Sequence, residues 1–223
     1  MTRLRWGGDR GARRIPTCHR GAHRCRAPAP LANDAGMSNY RRIYVPGGTY
    51  FFTVNLLERR RTLLVDRIDL LRDAFCVARE KLPFTLLAWV VMPDHLHCLW
   101  RLPAHDDANA ERWRFIKTHF VRGIPVGERL SPRRRAKAER GIWQRRYWER
   151  IVYTDADLHA HVDYIHANPM KHGYVGRVCD CPHSSFHGYV GRGMLPIDWA
   201  GEVAGPMRDA RGERGFEVSG GGS

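Results

Sequence analysis

The segment VVMPDHLHCLW, residues 90–100, sets His95 and His97 one residue apart in an apolar run. On a strand, side chains alternate between faces, so His95, His97 and Leu99 share one face and Leu96, Cys98 and Trp100 the other. The second face is wholly apolar and suits packing on helices. The first presents two imidazoles side by side, and neutral imidazoles pointing the same way begin a site for a divalent cation. Two half-buried histidines satisfied by local hydrogen bonds fit the pattern equally, and the residues alone leave both readings open. A closed structural zinc site wants four ligands, and Cys179 and Cys181 in VCDCPH share no recognisable spacing with the pair. An open site with an oxygen donor as third ligand suits Mg²⁺ or Mn²⁺ better, and such a site would bind a phosphate.

A second constellation lies in DADLHAHVDYIHANP, residues 155–169. Helical spacing makes Leu158, Val162 and Ile165 an apolar stripe. Asp157, His161, Tyr164 and Asn168 cluster about a quarter-turn to one side of it. Tyr164 and Asn168 are four residues apart and face the same way, offering a phenol and an amide oxygen on the rim of the core. The ordinary role for such a tyrosine is amphipathic packing.

Elements that would carry these residues are readable around them. TYFFTVNLLE (49–58) is β-branched and aromatic and follows the turn PGG (46–48). PFTLLAWVVM (83–92) is apolar on both faces, which predicts a central strand. Pro93-Asp94 turn the chain into a third strand, HLHCLWRL (95–102), antiparallel to the second. Helical spacing covers 66–81 and 107–121. The stretch 129–140 is basic, 142–153 mixes aromatics with Arg in part-strand fashion, and 154–168 is a helix. Thr154 and Asp157 resemble a capping box there, and Pro169 predicts the stop near Asn168. Helices and antiparallel hairpins in irregular order predict an α+β fold.

The 223 residues suffice for one domain with a sizeable core. Net charge is +14, which favours a polyanionic partner such as nucleic acid. Residues 1–36 hold eight Arg and two Asp, so six of those charges lie there and eight beyond. That segment has no periodicity and reads as a disordered basic extension, with Met37 resembling a natural start and an Arg-rich binding arm as the alternative. The domain is expected over 37–202 and a disordered Gly- and Arg-rich tail over 203–223. No apolar run is long enough for a membrane helix, no signal-peptide core opens the chain, and Cys76 and Cys98 read as reduced core residues, so a cytoplasmic, nucleoid-associated location is expected.

Taken together, MPDHLHCLW, WQRRYWERIV and HVDYIHANPMKHGYV resemble the REP-associated tyrosine transposases, single-tyrosine members of the HUH endonuclease superfamily. NYRRIYVPGGTYFFTVNL and GMLPIDWAG are similar to the same family, and the resemblance spans about residues 38–202. It implies a central antiparallel sheet flanked by helices in a ferredoxin-like arrangement. It also implies His95 and His97 as paired metal ligands, Tyr164 as nucleophile and Asn168 as third ligand. The basic stretch 121–140 is longer than the family pattern leads one to expect. Cleavage would pass through a 5′-phosphotyrosine, with Mg²⁺ or Mn²⁺ neutralising charge at the phosphate. The implied partner is single-stranded DNA carrying imperfect, REP-like hairpins, with the protein a monomer or homodimer. Tyr40, Arg41, Arg42, Arg145, Arg146 and Lys171 are candidate nucleic-acid contacts. Trp143, Tyr147 and Trp148 are candidates for stacking on bases, and Tyr153 and Tyr174 read as packing residues. A regulator that has lost cleavage, and a metal-dependent hydrolase using water, are the competing classes.

Overall fold

A computed structural model describes residues 44–59, 62–127, 132–136 and 140–200. Readings made for 1–36 and 203–223, and for Tyr40, Arg41 and Arg42, lie outside them. Strand β1 (Thr49–Asn55) is followed by a short helix α1 (Leu63–Asp66) and by α2 (Ile68–Lys81). The hairpin β2 (Thr85–Val91) and β3 (His95–Arg101) leads to α3 (Asn109–Arg122) and the five-residue α4 (Pro132–Ala136). Strand β4 (Trp148–Val152) and the long α5 (Asp155–Lys171) complete the frame, with a 3₁₀ turn and α6 (Phe186–Gly191) behind them.

The strands form one antiparallel sheet in the order β2-β3-β1-β4, the α+β architecture expected. Alternation sorts its side chains into two layers. Tyr50, Phe52 and Val54 of β1 join Leu96, Cys98 and Trp100 of β3 beneath α2 and α3. There Trp100 stacks on Trp113 with ring centres 4.8 Å apart, and Phe75, Phe84 and Phe120 fill the space around them. Each large side chain buried in this way contributes about 2–3 kcal/mol from removed apolar surface. On the other face Phe51, Ala88, Val90 and Leu99 meet Val162 and Ile165 of α5. The apolar stripe of α5 is thus the one the spacing predicted.

Three expectations are corrected. Strand β2 is an edge, not a central strand. Both its faces are covered, and its free edge is occupied by the segment around Ser184: Val91 N–H donates to His183 O at 3.0 Å and Ser185 N–H to Trp89 O at 2.9 Å. An apolar run reports burial, and a returning loop buries an edge as a neighbouring strand would. Helix α5 does not stop at Asn168; it runs through Pro169 to Lys171. Its end is set by Gly173 (φ 72°), with Tyr174 N–H donating to Pro169 O and Gly173 N–H to Met170 O, the paired bonds of a Schellman motif. Proline this near a C-terminus removes a single helical bond, whereas the left-handed turn at glycine ends the helix. Cys76 is exposed on α2, while Cys98 is buried; burial pushes the Cys98 thiol well up, which leaves it an inert thiol.

Candidate functional site

The histidine face of β3 is the face that α5 covers. Register places His97 opposite Thr53 and His95 opposite Asn55. Burial is nearly complete, at 1 % exposure for His95 and 0 % for His97, with ring centres 5.1 Å apart. A buried imidazole needs partners for its ring nitrogens. His95 Nδ1 lies 2.7 Å from Asp94 Oδ1, and His97 Nδ1 lies 2.9 Å from Thr53 Oγ1. Arg59 pairs with Asp94 and donates to Asn55 Oδ1 at 2.8 Å, tying the turn to the end of β1. His95 Nε2 is buried and has no hydrogen-bond partner among the described residues.

Helix α5 brings the second constellation to the same place. The Tyr164 ring packs edge-on against His97 at 5.5 Å and against Phe51 at 5.8 Å. Asn168, one turn on, is fully buried beside His97. The expected rim position therefore holds for half-buried Tyr164 but not for Asn168. Lys171 places Nζ 5.0 Å from the centre of the Tyr164 ring, so one of the candidate phosphate contacts belongs to this cluster. His172, at the end of α5, packs against His95 with ring centres 5.5 Å apart. His161 lies fully buried against Phe51.

Burial, with the nearby charges of His172 and Lys171, lowers His97 to about 3. Burial also lowers His95, outweighing the pull of Asp94. Both rings are therefore neutral near pH 7, the form that donates a lone pair to a metal. Burial pushes the Asp94 carboxyl up, but its bond to His95 and the charge of Arg59 prevail and leave it below the usual range. No group of three or more His, Cys, Asp or Glu among the described residues is arranged to hold a metal. A cation here would have two imidazoles and neutral oxygen donors, the open donor set that keeps positions for a phosphate and water. The partnerless His95 Nε2 fits that role.

The other candidates are placed differently. Arg145 and Arg146 are exposed in the loop before β4, and Arg145 lies beside α3, across the sheet from the histidines. Trp143 and Tyr147 are buried in the aromatic layer against Phe120 and Trp113, so they are core residues and not platforms for bases. Trp148 is half-buried against Phe51. Tyr153 and Tyr174, read as packing residues, are 73 % and 49 % exposed. Four site residues escaped the sequence reading: Asp94, taken as a turn residue, and Arg59, Thr53 and Phe51. Thr53 and Asn55 carried a usable signal, since with Thr49 they are polar positions of β1 that alternate onto one face with Phe51.

No protein-family model matches the chain. It is 46% identical over 167 residues to the REP-associated tyrosine transposase of Escherichia coli, covering 75% of this chain and 93% of that protein. A relative from Haemophilus influenzae is 46% identical over 166 residues, covering 74% and 94%. The solved structure of a REP-associated tyrosine transposase bound to a REP hairpin matches with a TM-score of 0.66 and 46% identity, over 77% of this chain and 96% of that one.

Proposed function

The chain belongs to the REP-associated tyrosine transposases, and on that footing we propose that it cuts and rejoins single-stranded DNA beside imperfect hairpins, with Tyr164 as nucleophile and Mg²⁺ or Mn²⁺ held by His95, His97 and Asn168. The observation that carries this reading is the meeting of β3 and α5: the two imidazoles, the phenol and the amide share one sheet face around Phe51.

Tyr164 Oη attacks phosphorus, forming a phosphotyrosine ester and breaking the bond to the 3′ oxygen. The phenol proton is lost and the departing oxygen gains one, leaving a 3′-OH. Reversal with another 3′-OH rejoins the strand without ATP, because the ester retains the bond energy. A free phenol titrates near pH 10 and is a weak nucleophile at neutrality. Lys171, with its charge over the ring, favours negative charge on that phenol. A bound cation supplies neutralisation of charge on the phosphate oxygens. His97, gripped by Thr53, and His95, gripped by Asp94, keep their donor atoms aimed without reorganisation. Phe51 fixes the Tyr164 ring from the side. The hairpin partner is inferred from the relative whose structure holds one.

A covalent protein–DNA adduct on a denaturing gel tests this directly. Adduct formation that requires Tyr164 and divalent cation supports the reading. Cutting without adduct would make water the nucleophile, and binding without cutting would make the chain a regulator.

A further inference from the structure

Helix α5 buries a histidine that the proposed chemistry does not use. His166 is fully buried. At about 100° per residue it lies about 160° round α5 from both Tyr164 and Asn168. The stripe of Leu158, Val162 and Ile165 falls between them and packs on the sheet. His166 Nε2 lies 2.9 Å from Ser185 Oγ, and its ring packs edge-on against Tyr189 at 4.8 Å and Phe186 at 5.7 Å.

Ser185 is itself built into the edge of β2. Its N–H donates to Trp89 O at 2.9 Å, and its Oγ accepts from Trp89 N–H at 3.0 Å and donates to Trp89 O at 3.1 Å. Tyr189 Oη donates to Leu87 O at 3.0 Å, a second tie to the same strand. The serine hydroxyl has one hydrogen and Trp89 O takes it, so in the bond to His166 the imidazole Nε2–H donates to Ser185 Oγ. Trp89 precedes Val90, whose partner across the hairpin is His97. The His166–Ser185 bond therefore links α5 to the strand pair that carries the histidine site.

Apolar burial is non-directional: the stripe holds α5 against the sheet but constrains its roll about the axis only weakly. A hydrogen bond at one edge of the stripe is directional and constrains that roll. A roll of about 10° moves an atom at the rim of a helix, about 6 Å from the axis, by about 1 Å. Misplacing a reacting atom by about 1 Å costs about 100-fold in rate. We propose that His166 is a positioning residue: through Ser185 it sets the roll of α5, and with it the approach of the Tyr164 phenol to the face of His95 and His97. The proposal rests on Tyr164 as the nucleophile inferred above.

The test is His166→Phe in the full chain, which keeps a ring against Tyr189 and Phe186 and removes the bond. Ser185 retains its bonds to Trp89, and the phenyl replaces a buried Nδ1 that has no hydrogen-bond partner among the described residues. Melting should therefore hold or rise. The single-turnover rate of adduct formation, on a saturating single-stranded oligonucleotide that carries an imperfect hairpin, should fall about 10- to 100-fold with DNA affinity unchanged. His166→Gln, whose amide N–H can reach Ser185, should recover most of the rate. A rate that holds in His166→Phe, or one that His166→Gln does not recover, overturns the proposal. A ring-fluorinated tyrosine at position 164 adds a readout that needs no cleavage: its fluorine resonance should shift in His166→Phe and return in His166→Gln. An unmoved resonance also overturns the proposal. If the unmutated chain forms no adduct while the resonance moves and returns, the nucleophile reading falls and His166 still sets the roll of α5.

Discussion

Asp94 Oδ1 lies 2.7 Å from His95 Nδ1. The proton of the neutral ring is thereby drawn to Nδ1, and Nε2 keeps its lone pair. Arg59 holds the carboxylate from the other side, so the orientation is fixed before any ligand arrives. Asp94→Ala should lower affinity for Mn²⁺ by about 10- to 100-fold, the usual cost of losing a partner behind a metal-bound histidine. Titration by electron paramagnetic resonance reads this without reference to cleavage. Unchanged Mn²⁺ affinity would show that Asp94 serves the turn alone.

The arrangement was only partly visible in the chain. The period of two in HLHCLW separates the histidines from Leu96, Cys98 and Trp100, and the structure keeps that separation. The stripe of Leu158, Val162 and Ile165 likewise identifies the inner face of α5. What periodicity does not carry is the identity of whatever covers a face. Asn168 is buried because α5 lies over β2 and β3, and Trp143 and Tyr147 are buried because α3 lies over the other side. The covered edge of β2 depends on Ser184 and Ser185, more than 90 positions away. Asp94 reads as a turn former by residue type; its role appears only when Arg59 and His95 converge on it.

His95→Ala and His97→Ala should each abolish cleavage of single-stranded DNA while leaving DNA binding largely intact, since neither residue belongs to the basic surface. Each removes a buried ring, so a stability loss of about 1–3 kcal/mol is expected and should be measured alongside. Cleavage surviving in both variants, or activity undiminished by EDTA, rules out a metal site on this face.

Stability should fall on mild acidification. His97 is lowered to about 3 and His166 to about 4, both by burial, against about 6.5 for an unfolded histidine. Between those values and 6.5 the unfolded chain binds protons that the folded chain refuses. The folded state is therefore fully favoured above pH ~6.5 and loses ground as pH drops, at about 1.4 kcal/mol per unit for each histidine. Asp94, lowered in the fold, adds a loss in the same direction at still lower pH. Urea unfolding at pH 7 and pH 5 should differ by about 2–4 kcal/mol. A flat profile would mean that these rings are protonated in the native state.

Tyr164→Phe separates chemistry from packing most sharply. The change removes one oxygen and keeps the ring, so its contacts with Phe51 at 5.8 Å and His97 at 5.5 Å persist. The stability cost should be about 1 kcal/mol or less, the scale of a single hydrogen bond. Lys171 can still lie over a phenyl face, and Mn²⁺ should still bind, because His95, His97 and Asn168 are untouched. Cleavage and the covalent adduct should both disappear, because the attacking atom is gone. Tyr153→Phe and Tyr174→Phe are the controls: at 73 % and 49 % exposure these rings alter little when trimmed, and both variants should remain active. An adduct that persists in Tyr164→Phe would move the nucleophile to another tyrosine. Cutting that persists without an adduct would assign the attack to water, with Tyr164 reduced to a wall of the site.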